Sequence, residues 1–494
     1  MSALLHRLIN SLAAYQLADL VSKCIAVLLL RVYTRYISQS GYGEVELLAN
    51  GVIFASILVR FGMIEAFLRY HFAAGDRARR DALARRAVGF LLITTSVAAV
   101  ALALAAAPLS RLVLGRRDVS IFLAAVLGLW AFTNLELAYG LLRVEERLRA
   151  YAVASLVNVL VTVGSSLVLV VVLHQGARGL LFGNYATSTV VLLALWWTLR
   201  HRLRGGRDRA THRLGELLRF GLPTVPAELS VYGLSIVDRV YVYHGRSPAQ
   251  AGLYSIAVKL AGTVAFIVRA FQYAWPPLAY SIADDAQAAR FYGLVTTYYV
   301  ALSGWVVAGL TLLGRWALRL LTDPRFHGLG AFRAVPWVAL GWALYGLWVV
   351  FLVIAGRVGV TRRNFPAAAA GLGVNVVLIL VLVPPLGIAG AGIALCGAYV
   401  VMLGVMHLLT RRAFAVAFEW RRLGQAAAVT AGVAVAGELL LPTHGLLGFV
   451  LRALALALVP ALLLATRFVS AQELAGAREL WGRVTAERLR GRPA

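Results

Sequence analysis

Long apolar segments alternate with short polar ones along almost the whole chain. Each apolar segment is roughly 17–25 residues long, enough for an α-helix that rises about 1.5 Å per residue to cross the ~30 Å hydrocarbon core of a bilayer. We therefore predict about fourteen membrane-spanning helices. They lie near residues 13–37, 45–68, 87–107, 119–142, 151–173, 177–200, 219–243, 250–275, 291–314, 334–356, 366–386, 388–410, 423–441 and 446–467.

The composition agrees with this pattern. Of the 494 residues, 61% are hydrophobic and 14% are charged, and the mean hydropathy of +0.78 lies above that of soluble domains. The N-terminal stretch lacks the short apolar core and small-residue cleavage site of a signal peptide, so we expect the first apolar segment to stay as a span. The expected fold class is an all-α polytopic membrane protein.

Arginines indicate the orientation of the spans. If the N-terminus is cytoplasmic, the cytoplasmic loops hold a roughly threefold excess of Lys and Arg over the opposite side, in line with the positive-inside rule. We therefore expect both termini to be cytoplasmic and the number of spans to be even. This bias accounts for most of the net charge of +26 without a nucleic-acid partner. The basic tail after Arg467 either carries the same topology signal or lies on anionic membrane lipid.

Seven basic residues fall inside predicted spans, more than two residues from either end. A basic side chain at the bilayer centre costs about 2.5–3.5 kcal/mol on insertion scales, so such residues usually face a wet cavity or an ionic partner. Snorkelling to the headgroups is the alternative for Arg31 and Arg269, and for Arg35, one turn beyond Arg31; for Arg452, near the start of the last span, snorkelling is the expectation. The seven residues are Lys23, Arg31, Arg60, Arg239, Lys259, Arg269 and Arg452.

Carboxylates accompany these cations. Asp19 lies four residues before Lys23, so the two can pair on one helix face. Asp238 adjoins Arg239, but helix neighbours point about 100° apart and need not neutralise each other; the alternative is a clamp between helices. Asp19, Glu228 and Asp238 are the candidates for binding a coupling proton or sodium ion, and neutralisation by a nearby Arg is the alternative for each. Weaker candidates of this type are Glu136 and Glu438.

The sequence lacks the motifs of ATP-hydrolysing proteins and of metalloenzymes. There is no GxxxxGK[ST] loop, so we do not expect ATP hydrolysis by this chain. The nine histidines are scattered, with no HExxH and no Cys/His cluster, so we expect neither a metal site nor a cofactor. Pro223 and Pro226 interrupt the start of the segment 219–243, either as a simple packing kink or as the kind of broken helix at which transporters place sites.

An internal repeat divides the chain. Residues 42–72 can be aligned on residues 253–283 at an offset of 211, and RLRAYAVASLVNVLVTVGSSLVLV has a weaker counterpart in RRNFPAAAAGLGVNVVLILVLV. Two parallel repeats of six helices would be related by an axis along the membrane normal, with a substrate path between them. The predicted organisation is a six-helix lobe at 1–215, a second lobe at 216–415, and two extra helices with a basic tail at 416–494.

Several stretches resemble one transporter family. GYGEVELLANGVIFASILVRFGMIEAFLRY, FGLPTVPAELSVYGLSIVDRVYV, AGLYSIAVKLAGTVAFIVRAFQYAWPPL and PPLGIAGAGIALCGAYVVM are similar to the polysaccharide-transport branch of the MOP superfamily, whose members include Wzx-type flippases of lipid-linked oligosaccharides. The resemblance covers almost the whole chain. It implies two lobes in a V-shaped arrangement, a central cationic cavity and alternating access.

The resemblance also implies a cargo and a location. The cargo would be an undecaprenyl-pyrophosphate-linked oligosaccharide, carried across the bacterial cytoplasmic (inner) membrane for surface polysaccharides such as O-antigen. Polysaccharide polymerase machinery would be a partner. Basic side chains would hold the anionic headgroup while the polyprenyl tail stays in lipid. The candidate substrate-binding residues are Lys23, Arg31, Arg35, Arg60, Arg239, Lys259 and Arg269.

Three other functions stay open at this point. A lipid II-type flippase would share the cationic cavity. A drug or cation antiporter of the MATE type would share the fold, but we expect its cavity to be acidic. A membrane glycosyltransferase or O-antigen ligase needs a large external loop with catalytic groups, whereas the longest external loop, near 315–333, holds one acid, Asp323. A transporter is therefore the expected class, rather than an enzyme.

Overall fold

The computed structural model describes residue 25 and residues 28–73, 76–145, 147–203 and 213–469. Within these residues all regular structure is helical, and twelve helices are long and apolar enough to cross a membrane. The predicted all-α polytopic fold class is confirmed. Asp19 and Lys23 lie outside the described residues, so their pairing stays a prediction.

The helices follow one another through short connections. Up to the break near residue 222 they are α1 (Gln39–Val59), α2 (Met63–Ala73), α3 (Arg77–Leu104), α4 (Ala106–Leu114), α5 (Val119–Val144), α6 (Leu148–Leu167), α7 (Gly176–Leu203) and α8 (Leu214–Gly221). After it they are α9 (Val225–Gly245), α10 (Pro248–Ala261), α11 (Val264–Ser281), α12 (Asp285–Leu321), α13 (Leu329–Arg357), α14 (Asn364–Leu386), α15 (Ile388–Thr410), α16 (Trp420–Leu440) and α17 (Gly445–Ala465).

Two predicted spans are divided rather than continuous. The span predicted at 45–68 becomes α1 and α2, because Phe61 and Gly62 have φ angles of +49° and +68° and a right-handed helix cannot continue through left-handed backbone. The span predicted at 250–275 becomes α10 and α11, separated at Gly262 and Thr263. The Ala265 N–H donates to the Gly262 carbonyl at 3.0 Å. This spacing of three residues, one shorter than in an α-helix, marks the start of α11.

The interruption predicted from two prolines is present. Leu222–Thr224 form a single 3₁₀ turn between α8 and α9, with Pro223 inside that turn and Pro226 in the first turn of α9. A proline has no N–H to donate and is best accommodated in the first turn of a helix, where that N–H would have no partner in the helix. The two prolines therefore mark the start of α9 instead of kinking its interior.

By its internal contacts the chain divides into two compact units. The first contains the described residues up to Leu260, together with Leu318–Val338 and Asn364–Met402. The second contains Ala261–Ala317, Ala339–Arg363 and the described residues from Leu403 onward. These boundaries are defined by contacts between residues. The predicted lobes at 1–215 and 216–415 and the segment 416–494 are defined by the sequence repeat, and this second division stays a prediction.

The first unit has a helical core in which the short helices α2 and α8 take part. Phe67 of α2 and Leu217 of α8 are both fully buried, and they belong to one apolar cluster with Leu91 of α3 and Leu141 of α5. Burying a Leu or Phe side chain stabilises a fold by about 1.5–3 kcal/mol in water, and in lipid close packing takes over that role. This core fixes α2 and α8, and with them the two helix breaks they adjoin.

The second unit contains a buried arginine clamp. Arg452 of α17 is 0% exposed, and its guanidinium is 2.5 Å from the Glu438 carboxylate of α16. It also donates to the carbonyls of Pro442 and Leu441, each at 3.0 Å. The sequence-based expectation that Arg452 snorkels to the headgroups is wrong, because the loop between α16 and α17 supplies carbonyl partners inside the protein.

Candidate functional site

One guanidinium holds three carboxylates together in the first compact unit. Arg60 follows the last residue of α1 and is only 5% exposed. Its Nη1 lies 2.9 Å from the Glu136 carboxylate of α5, and its Nη2 binds Glu228 of α9 and lies 3.5 Å from Glu65 of α2. We call these four residues the Arg60 cluster. If all were ionised, it would carry an excess of two negative charges.

The Arg60 cluster lies beside the crossing of two interrupted segments. A Cβ atom added to Gly62 would collide with the carbonyl of Gly221, and one added to Gly221 would collide with that of Gly62. Glycine is required at both positions, and Gly62 also has the positive φ that glycine adopts at low cost. The crossing brings Arg60, just before one break, next to Glu228, just after the other.

A second cluster surrounds Lys259 of α10. Its Nζ lies 2.6 Å from the Glu46 carboxylate and donates to the Tyr42 hydroxyl at 2.5 Å, both on α1. Tyr42 is fully buried, whereas the Lys259 side chain is 41% exposed. These three residues form the Lys259 cluster, in which the ammonium group is ion-paired and the side chain as a whole stays partly exposed.

Backbone contact between α1 and α10 produces this pairing. A Cβ atom on Gly252 would collide with the Gln39 carbonyl, and one on Gly43 would collide with the Pro248 carbonyl. Small residues that let helix backbones approach are typical of membrane interfaces. Because the two helices approach so closely, the Glu46 carboxylate can reach the Lys259 amine, which is distant in sequence.

The third cluster links α9 to α10. Asp238 is 2% exposed and accepts a hydrogen bond from the Tyr254 hydroxyl of α10. Arg239 Nη1 lies 4.0 Å from the Asp238 carboxylate and donates to the Ser235 carbonyl. The clamp between helices, one of the two alternatives for this pair, is thus present through Asp238 and Tyr254, and Arg239 lies at the outer limit of ion-pair distance from Asp238.

The other predicted binding residues are not part of these clusters. Arg31 and Arg35 are exposed, and Arg31 Nη1 donates to the Leu320 carbonyl at 2.7 Å. Arg269 is exposed on α11 and belongs to the second unit. Of the predicted cations, the first unit thus brings Arg60, Arg239 and Lys259 next to acidic side chains.

An additional ion-paired group lies at the N-terminal end of α1 and was not predicted. Arg116 makes two parallel hydrogen bonds to Glu44, at 2.9 and 2.7 Å, and lies 2.9 Å from Asp118. Burial opposes ionisation of Asp118, but hydrogen bonds from the Ile121 N–H and the Ser120 hydroxyl, together with the charge of Arg116, lower its pKa. This group ties α1 to the loop before α5.

Charge pairing determines what the clusters can do. Arg60, Arg239 and Lys259 each have a carboxylate neighbour, so an anionic headgroup would have to replace that neighbour to bind them. Arginine suits such an exchange, because its planar fork matches carboxylate and phosphate alike. Among the described residues, no group of three His, Cys, Asp or Glu side chains is positioned to hold a metal ion.

Solved structures with the same fold are transporters and a flippase. A lipid II flippase, MurJ, in an inward closed conformation superimposes with a TM-score of 0.72 at 13% identity, covering 91% of this chain and 97% of that one. A multidrug resistance MATE family transporter of the MOP superfamily, facing inward, superimposes with a TM-score of 0.60 at 15% identity. The match covers 80% of this chain and 98% of that transporter. The bent form of a Vibrio cholerae MATE transporter gives 0.55 at 13% identity, covering 87% and 98%.

These similarities confirm the predicted fold, which this chain shares with a lipid II flippase and with MATE family transporters. A search of curated protein sequences gave no match. A family model described as polysaccharide biosynthesis protein matches residues 8–280, more than half of the chain. The chain therefore belongs to the polysaccharide biosynthesis protein family.

Proposed function

We propose that this protein flips a polyprenyl-pyrophosphate-linked oligosaccharide across the bacterial cytoplasmic membrane by alternating access, for surface polysaccharide assembly. The observation that carries the proposal is a family match over residues 8–280 in a chain whose intramembrane cations Arg60, Arg239 and Lys259 lie next to carboxylates. The expected topology has both termini in the cytoplasm. Membrane lipids and a polysaccharide polymerase are the expected partners, and no nucleic acid is needed.

Ion-pair exchange is the proposed chemistry of the headgroup site. The pyrophosphate would replace Glu46 at Lys259 and Asp238 at Arg239, with Arg31, Arg35, Arg60, Arg269 and Lys23 as further candidate contacts. A charged guanidinium or ammonium group aimed at the phosphate oxygens offsets part of the cost of moving the headgroup through a region of low dielectric. The oligosaccharide would travel with it in the same wet space.

The displaced carboxylates are candidates for the coupling ion. A carboxylate that loses its cationic partner in a poorly hydrated site favours a proton or a sodium ion. We propose Glu228, Asp238 and Asp19 for this role, as in the sequence-based interpretation. Coupling of this kind would let an ion gradient drive cargo movement without ATP.

Two other cargoes have a specific observation in their favour. The likeness to the lipid II flippase, with a TM-score of 0.72, supports a lipid II-type cargo. The three glutamates around Arg60 give an acidic site of the kind expected in a MATE-like cation antiporter. Both alternatives differ from the main proposal in cargo and share its fold.

A deletion strain tests the proposal. Lipid-linked glycans would be extracted and their sidedness at the inner membrane measured with a membrane-impermeant reagent. Single repeat units should accumulate on the cytoplasmic leaflet and return to normal when the wild-type chain is supplied. Lipid II accumulation would favour the second cargo. Normal surface glycan with altered sensitivity to organic cations would contradict the proposal and favour the antiporter.

A further inference from the structure

An apolar groove runs along one side of α9. It has a volume of about 670 Å³ and is lined by α9 residues between Leu229 and His244, by Phe54 of α1 and by Leu372 of α14. Sixteen residues of helix correspond to roughly 22 Å of length, most of the ~30 Å thickness of the hydrocarbon core. The groove lies entirely within the first compact unit.

The groove adjoins a polar stripe on the same helix. Glu228, Tyr232, Ser235 and Arg239 recur every three or four residues and so lie on one face of α9. Groove residues such as Leu229 follow them by one position, about 100° around the helix. The polar face makes ionic and hydrogen-bonded contacts, for example from the Tyr232 hydroxyl to the Asn50 side chain at 3.0 Å. One helix thus carries a charged stripe and an apolar groove side by side.

The lining of the groove favours hydrocarbon. The Ser230 hydroxyl donates to the Pro226 carbonyl at 2.7 Å, so its proton is already used within the helix. Gly233 packs closely against Leu372 in the lining, because a Cβ atom there would come within 3.2 Å of the Leu372 side chain. The volume lies in the range of about 300–1,000 Å³ for small-molecule pockets, and the extent of the lining along α9, from Leu229 to His244, suits an extended chain.

We propose that this groove holds part of the isoprenoid chain of the cargo while its pyrophosphate passes along the neighbouring polar stripe. The inference rests on the proposed function. A bilayer phospholipid keeps its headgroup at the interface, whereas the polar stripe extends through the span from Glu228 to Arg239. The polar stripe and the apolar groove lie side by side at the same depth of α9. A ligand that matches both is an amphiphile whose headgroup crosses the bilayer.

Chain-length dependence of binding tests the inference. Isopentenyl pyrophosphate and undecaprenyl pyrophosphate share the headgroup, but the five carbons of the first are too short to fill the groove, so the ratio of their affinities for the purified full-length protein isolates the tail. In wild type the longer chain should bind more tightly. Gly233→Leu, which adds a bulky side chain to the groove, should reduce that ratio roughly tenfold and leave the affinity for isopentenyl pyrophosphate unchanged. Val237→Trp, at a groove position on the next turn, is a second variant in case the first fails to fold.

A matched control lies on α14. Gly373 follows Leu372 and has no atom within 4 Å of an added Cβ, so Gly373→Leu adds the same side chain outside the groove and should keep the wild-type ratio. If the groove variants fold and also keep the wild-type ratio of affinities, the groove inference is overturned while the proposed function stands. If wild type binds neither pyrophosphate, the proposed function fails as well.

Photo-crosslinking distinguishes the cargo tail from bulk lipid. A benzophenone amino acid at Leu372, in nanodiscs containing phospholipid and undecaprenyl pyrophosphate, should yield an adduct with the mass of the isoprenoid lipid. Adducts with phospholipid alone would overturn the inference. The same label at Gly373 is the control and should show no preference for the isoprenoid.

Discussion

Gly62 and Gly221 meet backbone to backbone where two helical segments are interrupted. Each glycine occupies the space that a Cβ atom on the other would need, and Gly62 has a φ of +68°. The contact sets the crossing point of the α1–α2 and α8–α9 segments. Since Arg60 and Glu228 flank the two breaks, the geometry of their ion pair depends on these glycines.

We predict that Gly62→Ala lowers stability more than an ordinary glycine substitution. Left-handed backbone costs a residue with a Cβ about 1–2 kcal/mol, and the collision with Gly221 adds to this. Gly51→Ala in α1 is the control, because nothing lies within 4 Å of its added Cβ and alanine favours helix by about 1 kcal/mol. Thermal unfolding of the full chain in detergent measures both, and equal stability of the two variants would contradict the crossing geometry.

Removing the cation of the Arg60 cluster should lower the free energy of unfolding more than removing one of its carboxylates. Arg60→Met leaves three carboxylates without their shared partner. We expect a loss of about 2–3 kcal/mol, below the 3–5 typical of fully buried pairs because the carboxylates are partly exposed. Glu136→Gln keeps the guanidinium and two acids and should cost about 1 kcal/mol or less.

A double variant identifies the physical cause. If uncompensated negative charge destabilises Arg60→Met, adding Glu228→Gln should restore part of the lost stability, as measured in a double-mutant cycle. Additive losses would mean that Arg60 acts through packing instead. Export by the single variant is measured in parallel, because Arg60 is also a candidate headgroup contact.

Much of the fold followed from the sequence, because the length and hydrophobicity of a span are local properties. The break at Pro223 was visible for the same reason. The break at Phe61 and Gly62 was not, since it coincides with contact to Gly221, which is distant in sequence. A single positive-φ glycine inside a predicted span has no local signal.

The candidate site was predicted only in part, for a related reason. The basic residues stand out against apolar spans, so Arg60, Arg239 and Lys259 were found. Their partners Glu46, Glu136 and Tyr42 come from other helices, and choosing them requires knowing which helices touch. Arg452 shows the same limit, because its position near a helix start suggested snorkelling while its carbonyl partners come from the loop before α17.

The Lys259 cluster offers a test of whether its ammonium group meets an anionic cargo. Glu46→Gln removes the competing carboxylate and should strengthen binding of farnesyl pyrophosphate about threefold to tenfold, since an unpaired ammonium group pairs more readily with phosphate. Lys259→Met should weaken it. Tyr42→Phe, which removes only the neutral hydroxyl partner, should have a smaller effect than either change. Equal weakening by Glu46→Gln and Lys259→Met would mean that the ion pair serves structure alone.

Arg452→Met should destabilise the second unit without changing transport by the molecules that remain folded. The substitution leaves three carbonyl acceptors, of Leu312, Leu441 and Pro442, without their donor, where lipid offers no replacement. A buried charge partner is also lost, so we expect a loss of about 3–5 kcal/mol. Arg315→Met is the matched control, because Glu438 keeps its contact with Arg452. Yield and thermal stability in detergent measure the difference, and a normal Arg452→Met protein would restore the snorkelling interpretation.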